Sequence, residues 1–354
     1  MRTHLLTRRD LLSGLVAGSA LLARPSWAAP LDDVLMTPAV DLHSHAGGRL
    51  VSNKAQYNVA ERMVRGRFGT VTMAAIADVT VIRQASPGGP VKAYRTPQPG
   101  ECFASVERQL ATIDDMIAAN GFQRVLTPGD VAAAHAAGKA GLIVAVEGAD
   151  FLEGKLERVQ WAFDRGVRHL QLVHYRVNEL GDIMTEDPQH KGLTDFGAAV
   201  VRECNRLGII VDVAHATADT TAGVAKIAKA PLVMSHGGIT SETPRQYSRM
   251  MTLAHAKPIL DSGGLIGMWP AGALFRNIDV WAGYLAKMTG AIGADHVGIG
   301  SDMEGGIEEV FNDYAAFPKV VEALLGKGLS VEQTAKIVGA NHARVFKAVA
   351  AAAG

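Results

Sequence analysis

Apolar and polar positions alternate between two rhythms along most of this chain. Short β-rich apolar runs are followed by stretches with apolar residues at helical spacing. Eight runs read as strands: Ala39–His43, Thr70–Ala77, Leu142–Glu147, Arg168–His174, Ile209–His215, Leu232–His236, Leu265–Trp269 and His296–Asp302. The clearest helical patterns are Val106–Ala119, Leu156–Arg165, Phe196–Leu207, Ala218–Ala228 and Val280–Thr289. Gly121, Gly166, Gly208 and Gly293 each follow a helical stretch, where a C-cap is wanted. Strand–helix alternation repeated eight times predicts an α/β fold, a closed (β/α)8 TIM barrel around a parallel sheet. Two polar segments break the rhythm, Ser86–Gly100 and Asn178–Thr194, and both read as long loops after strand C-termini. After the eighth strand, 310–325, 331–338 and 341–352 read as closing helices.

The chemistry lies at the ends of those strands. Asp41, His43 and His45 alternate on the first, so a side-chain period of two puts all three on one face. Glu147 ends the third strand, His174 the fourth, His215 the fifth, His236 the sixth and Asp302 the eighth. A barrel brings these ends to one mouth. The seven groups at those ends, His43, His45, Glu147, His174, His215, His236 and Asp302, would be costly to gather without a cation, so the pattern predicts a binuclear metal site at the C-terminal face. His43 with His45, and His215 with His236, make two ligand pairs. Glu147 lies between them in strand order and can bridge two Zn²⁺ ions that share a hydroxide. Mn²⁺, Co²⁺ or Fe²⁺ suit similar ligands. Asp302 is left over as proton shuttle and His174 as donor to a developing oxyanion.

Composition sets the setting. The chain has 354 residues, 48% hydrophobic and 20% charged, enough for one large domain. Charge is balanced, and no basic stripe points to nucleic acid. Thr7-Arg8-Arg9-Asp10-Leu11-Leu12 is a twin-arginine pattern, followed by an apolar run to Ala23 and by Ser26-Trp27-Ala28. Residues 1–28 therefore read as a signal peptide, and 29–354 as a single metallohydrolase domain exported to the periplasm. Removing the leader takes four arginines and one aspartate with it, leaving a net charge near −3. The apolar run is shorter than the ~20 residues that span a bilayer, and no later stretch is apolar enough, so no membrane span is expected in the mature chain. Cys102 and Cys204 are too few for a disulfide framework; whether they pair is open.

The ordered set of Asp41-Leu42-His43, Val146-Glu147-Gly148, Gly166-Val167-Arg168 leading to Val173-His174, and Gly192-Leu193-Thr194-Asp195-Phe196-Gly197 resembles the membrane (renal) dipeptidase family, the M19 metallopeptidases of the amidohydrolase superfamily. The match continues through Asn205-Arg206-Leu207-Gly208, Asp212 to His215, Ser235-His236, Asp295 to Asp302, and Gly339-Ala340-Asn341 with Arg344-Val345-Phe346. The resemblance implies a two-zinc barrel that hydrolyses dipeptides, often with a D-residue at the C-terminal position, and a homodimer. It implies the same roles for Glu147, His215, His236, His174 and Asp302. It adds Arg249, before the seventh strand, as holder of the substrate carboxylate.

Two departures stand out. The family has His-x-Asp where this chain has His43-Ser44-His45, which removes one negative charge from that metal. The family's Arg-Asn pair reads Arg249-Met250, and Arg245 competes for the role. The leading expectation is a zinc dipeptidase with small dipeptide substrates. The alternatives are an amidohydrolase acting on acyl-amino acids or lactones, and a non-catalytic periplasmic dipeptidase-like protein.

Overall fold

The computed structural model describes residues 28–47, 50, 57–84, 86, 89–240, 249–306 and 308–354. The leader pattern ahead of Ala28 and the competing Arg245 lie outside the described residues.

Eight parallel strands close into a barrel. They are β1 (Val40–Ser44), β2 (Thr70–Ile76), β3 (Gly141–Glu147), β4 (Val167–Gln171), β5 (Ile210–Asp212), β6 (Val233–Gly237), β7 (Leu265–Met268) and β8 (Val297–Ile299). Neighbours pair in sequence order, β2 with β3 from Thr70↔Gly141 to Ile76↔Glu147, and Asp41↔Ile299 closes β8 onto β1. Every expected strand is present, within a few residues. Strands buried on both faces need apolar side chains in both registers. Val71, Met73, Leu142, Val144 and Val146 join the large cluster packed under the helices. Val40, Leu42, Ile143, Ile210, Val233 and Leu265 meet Val345, Phe346 and Val349 of the last helix in a second cluster. Most of the latter strand residues stand at or near strand starts, so Asn341–Ala351 closes the N-terminal end of the barrel. The opposite end stays free for polar side chains.

The helices follow the apolar periodicity closely. Asp195–Leu207 is the clearest: Thr194 accepts from Gly197 N at its start, and Gly208 ends it at φ 74°. An antiparallel hairpin follows β2, Ile82–Gln84 with Val91–Ala93, and its second strand falls inside the Ser86–Gly100 stretch read as a long loop. Its Pro and Gly content concealed three-residue strands. The closing segment runs from Val331–Ala335 through a π-helical turn, Lys336–Ala340, into the last helix. Cys102 and Cys204 are both buried free thiols. Among the described residues, no helix is long and apolar enough to cross a membrane.

Candidate metal centre

The barrel gathers every strand-end group at its C-terminal mouth, all nearly inaccessible to solvent. Glu147 is at the centre. Its Oε2 lies 3.2 Å from His45 Nε2, and its Oε1 lies 3.4, 3.3, 3.7 and 3.5 Å from Nε2 of His43, His174, His215 and His236. His43 and His45 Nε2 are 3.1 Å apart, and those of His215 and His236 are 3.2 Å apart. Three overlapping groups have metal-ligand spacing: His43, His45 and Asp302; His43, Glu147 and His236; and Glu147, His174 and His215.

One expectation needs correction, and one residue stands nearer the ligands than strand order suggests. Asp41 does not share the face of His43 and His45. The pairing of β1 with β2 shifts register between Asp41 and Ser44, and this irregularity breaks the period of two. Asp41 instead accepts from Ser301 and Tyr314. Asp302, left over in the count of ligand pairs, lies beside the first pair. Its Oδ1 lies 4.0 Å from His43 Nε2 and 3.6 Å from His45 Nε2, which makes it the third member of their group. Counting strand ends could not show this, because Asp302 lies three residues past β8. His174 and His215 likewise lie three residues past β4 and β5. Both His215 (φ 66°) and Asp302 (φ 51°) adopt the left-handed backbone conformation, which costs a non-glycine residue of order 1 kcal/mol or more.

The donor set fits a divalent metal. His45 Nδ1 donates to the Ala74 carbonyl at 2.9 Å, so in the neutral ring the lone pair sits on Nε2, facing the centre. His174 Nδ1 meets Asp78 Oδ1 at 2.7 Å, and His236 Nδ1 meets Ser235 Oγ at 2.8 Å. These outer bonds aim the remaining nitrogens inward. Ser235 is held close by glycines on its neighbours: a Cβ on Gly267 or Gly300 would lie 1.8 Å from its carbonyl oxygen.

Charge is divided across the site. Burial, Arg249 and His174 hold His215 well below the ordinary imidazole range; burial, His43 and Arg249 do the same for His236. Burial opposes ionisation of Glu147, but His174 and His43 outweigh it and hold its carboxyl well below the usual range. Burial also opposes charging of His43 and His174. Glu147 outweighs it at His43, and Asp78 with Glu147 raises His174 to about 9. A carboxylate beside neutral imidazole lone pairs is a cation site.

Arg249 reaches the same mouth. Its Nη1 lies 3.4 Å from both Asp302 Oδ2 and Tyr175 OH, and its guanidinium stacks 4.2 Å from the Trp269 ring centroid. Its Nε and Nη2 make no hydrogen bond among the described residues.

The whole of residues 29–354 matches the model of the membrane dipeptidase family, Peptidase family M19. The chain belongs to the membrane dipeptidase family. Dipeptidase aclJ of Aspergillus oryzae is 29% identical over 224 residues, which is 60% of this chain and 52% of that protein. Dipeptidase tcpJ of Claviceps purpurea is 31% identical over 233 residues, covering 62% and 53%. The chain thus spans about half the length of the curated relatives it matches. Among solved structures, a Rhodobacter sphaeroides metallopeptidase liganded with a phosphinate mimic of the dipeptide L-Ala-D-Ala superposes with TM-score 0.73 at 24% identity, over 88% of this chain and 99% of that one. The probable dipeptidase PvdM of Pseudomonas aeruginosa gives 0.75 at 18% identity, over 92% and 100%. At these identities the structural likeness establishes the barrel.

Every sequence-derived site residue of this family member meets at one place: His43, His45, Glu147, His174, His215, His236, Asp302 and Arg249. Sequence reasoning missed Asp78, Tyr175 and Trp269. Asp78 stands two residues past β2, so the strand-end reasoning applied to that strand would have found it.

Proposed function

We propose that this protein is a dipeptidase using two zinc ions, exported by the twin-arginine route. The observation that carries the reading is the convergence of five imidazole Nε2 atoms on the two oxygens of buried Glu147, beside Arg249. His43, His45 and Asp302 would hold one metal, His215 and His236 the other, and Glu147 would bridge them. When bound, zinc polarises a scissile carbonyl and makes a water-derived nucleophile accessible near neutral pH.

The protein groups then divide the remaining work. Arg249 meets the free C-terminal carboxylate, for which a planar guanidinium is suited. His174, oriented by Asp78, donates from Nε2 to the oxygen that gains charge. Asp302 takes the proton from the attacking water and returns it to the leaving amine. The exit of His174 and Glu147 from bulk solvent strengthens each of these interactions.

The test is a hydrolysis panel on zinc-loaded protein. Ala-D-Ala and L,L-dipeptides are compared with acyl-amino acids and lactones. Cleavage of free dipeptides above the others is expected. Turnover of acyl-amino acids or lactones with none of dipeptides would overturn the substrate class. No turnover of any substrate by fully loaded protein would leave a binding protein.

A further inference from the structure

Two buried aspartates outside the ligand set repeat one arrangement on opposite sides of the centre. Asp41 on β1 accepts from His43 N at 3.2 Å and from Ser301 N at 2.8 Å, both on Oδ1. Its Oδ2 accepts from Ser301 Oγ at 2.5 Å and Tyr314 OH at 2.7 Å. Asp212 on β5 accepts on Oδ1 from Ala214 N at 2.9 Å and Ser235 N at 3.0 Å, while its Oδ2 meets His169 Nε2 at 2.9 Å. Neither aspartate is exposed.

In each case one carboxylate oxygen binds the amide two residues further along its own chain segment. It also binds the amide of a serine on or just past the adjacent strand, and that serine directly precedes a site residue: Ser301 before Asp302, Ser235 before His236. Each bridge also abuts a left-handed residue. The Ser301 amide leads into Asp302 at φ 51°, and the Ala214 amide leads into His215 at φ 66°. Such a conformation persists only where its surroundings determine it. A buried carboxylate satisfied by several donors is a strong local tie. The two ties are on different strand pairs, β1 with β8 and β5 with β6, and share no partner.

We propose that Asp41 and Asp212 are positioning residues that separately set the affinities of the two metal positions. Asp41 holds the position made by His43, His45 and Asp302; Asp212 holds the one made by His215 and His236. The inference rests on the two-metal reading above. It also explains why Asp41 turns away from the metal: its carboxylate is used to join the backbones that carry the ligands.

The experiment titrates chelator-stripped full-length protein with Zn²⁺ against a chromogenic chelator. Wild type should show two affinity classes. Asp41→Asn should weaken one class by about 10–100-fold, the usual effect of losing an outer partner of a ligand. Asp212→Asn should weaken the other class similarly, and the double variant both. Tyr314→Phe and His169→Leu each remove one donor and leave the bridging oxygen in place, so they should shift the same respective classes by less. They decide the matter if an Asn variant does not fold. Val349→Ala, in the core at the far end of the barrel, should lower Tm and leave both affinities unchanged. Folded variants with both affinities intact, or Asp41 and Asp212 variants weakening the same class, would overturn the proposal while leaving the metal site standing. Wild type that binds no zinc would instead remove the metal reading on which it rests.

Discussion

Replacing Arg249 with alanine separates substrate recognition from chemistry. In the free protein Arg249 spends little of its donor capacity. Among the described residues its Nη1 bonds to Asp302 and Tyr175 are both long at 3.4 Å, and Nε and Nη2 make none. The Trp269 ring supports the guanidinium plane from one side at 4.2 Å. Most of the charge-assisted bonding is therefore available to a ligand carboxylate. Losing one partner of such a desolvated pair costs about 2–4 kcal/mol, or about 30- to 900-fold in kcat/KM. Part of any loss could arise through Asp302, which also feels the arginine. Comparing free and C-terminally amidated dipeptides isolates the carboxylate contribution, because the Asp302 effect is common to both. The expected outcome is a large loss on the free dipeptide and little change on the already poor amide. Arg249→Lys should fall between, since lysine keeps the charge and loses the planar fork and the stack. Equal losses on free and amidated substrates would refute the assignment.

Three further outcomes are expected. Asp302→Asn should lower kcat by about 10²–10⁴-fold and, because Asp302 belongs to the group with His43 and His45, also weaken one zinc; unchanged affinity would make it a shuttle alone. Asp78→Asn should lower kcat by about 10–100-fold through misorientation of His174, with both metals retained by elemental analysis; an unchanged kcat would remove Asp78 from the catalytic apparatus. Burial holds His342 down at about 3 and His255 at about 4, so both are neutral in the folded protein and protonate more readily when unfolded. Their stabilisation is present above about pH 6.5 and is lost as pH falls toward those values, at about 1.4 kcal/mol per pH unit for each group. Thermal melting of chelator-treated protein from pH 7 to 4 should show this decline, and His342→Leu should make it shallower; an identical slope would exclude His342 as a contributor.

The barrel was legible because its strands are buried on both faces and its helices on one, so two periods alternate cleanly in the sequence. The metal centre was legible because barrel topology turns strand ends into neighbours. What escaped was local. The irregularity after Asp41 reverses the side-chain parity of β1, and nothing in Asp41-Leu42-His43-Ser44-His45 announces it. The left-handed turns at His215 and Asp302 are uncommon for any residue but glycine, and although histidine and aspartate enter that region more readily than most, one such residue in a sequence does not mark the turn. Asp78 and Trp269 were missed for different reasons. Asp78 directly follows the second predicted strand and was open to the same strand-end reasoning, whereas Trp269 looks like an ordinary strand-terminal residue until Arg249 is seen against it.

The central claim is that two metal ions held around Glu147 are required for hydrolysis of dipeptides. Its most direct measurement is activity against zinc added back to chelator-stripped protein, with bound metal counted by elemental analysis. Activity should rise to a plateau at two zinc ions per chain, and Glu147→Gln should bind neither ion firmly and stay inactive. Full activity at one zinc or none, or an active Glu147→Gln, would contradict the account.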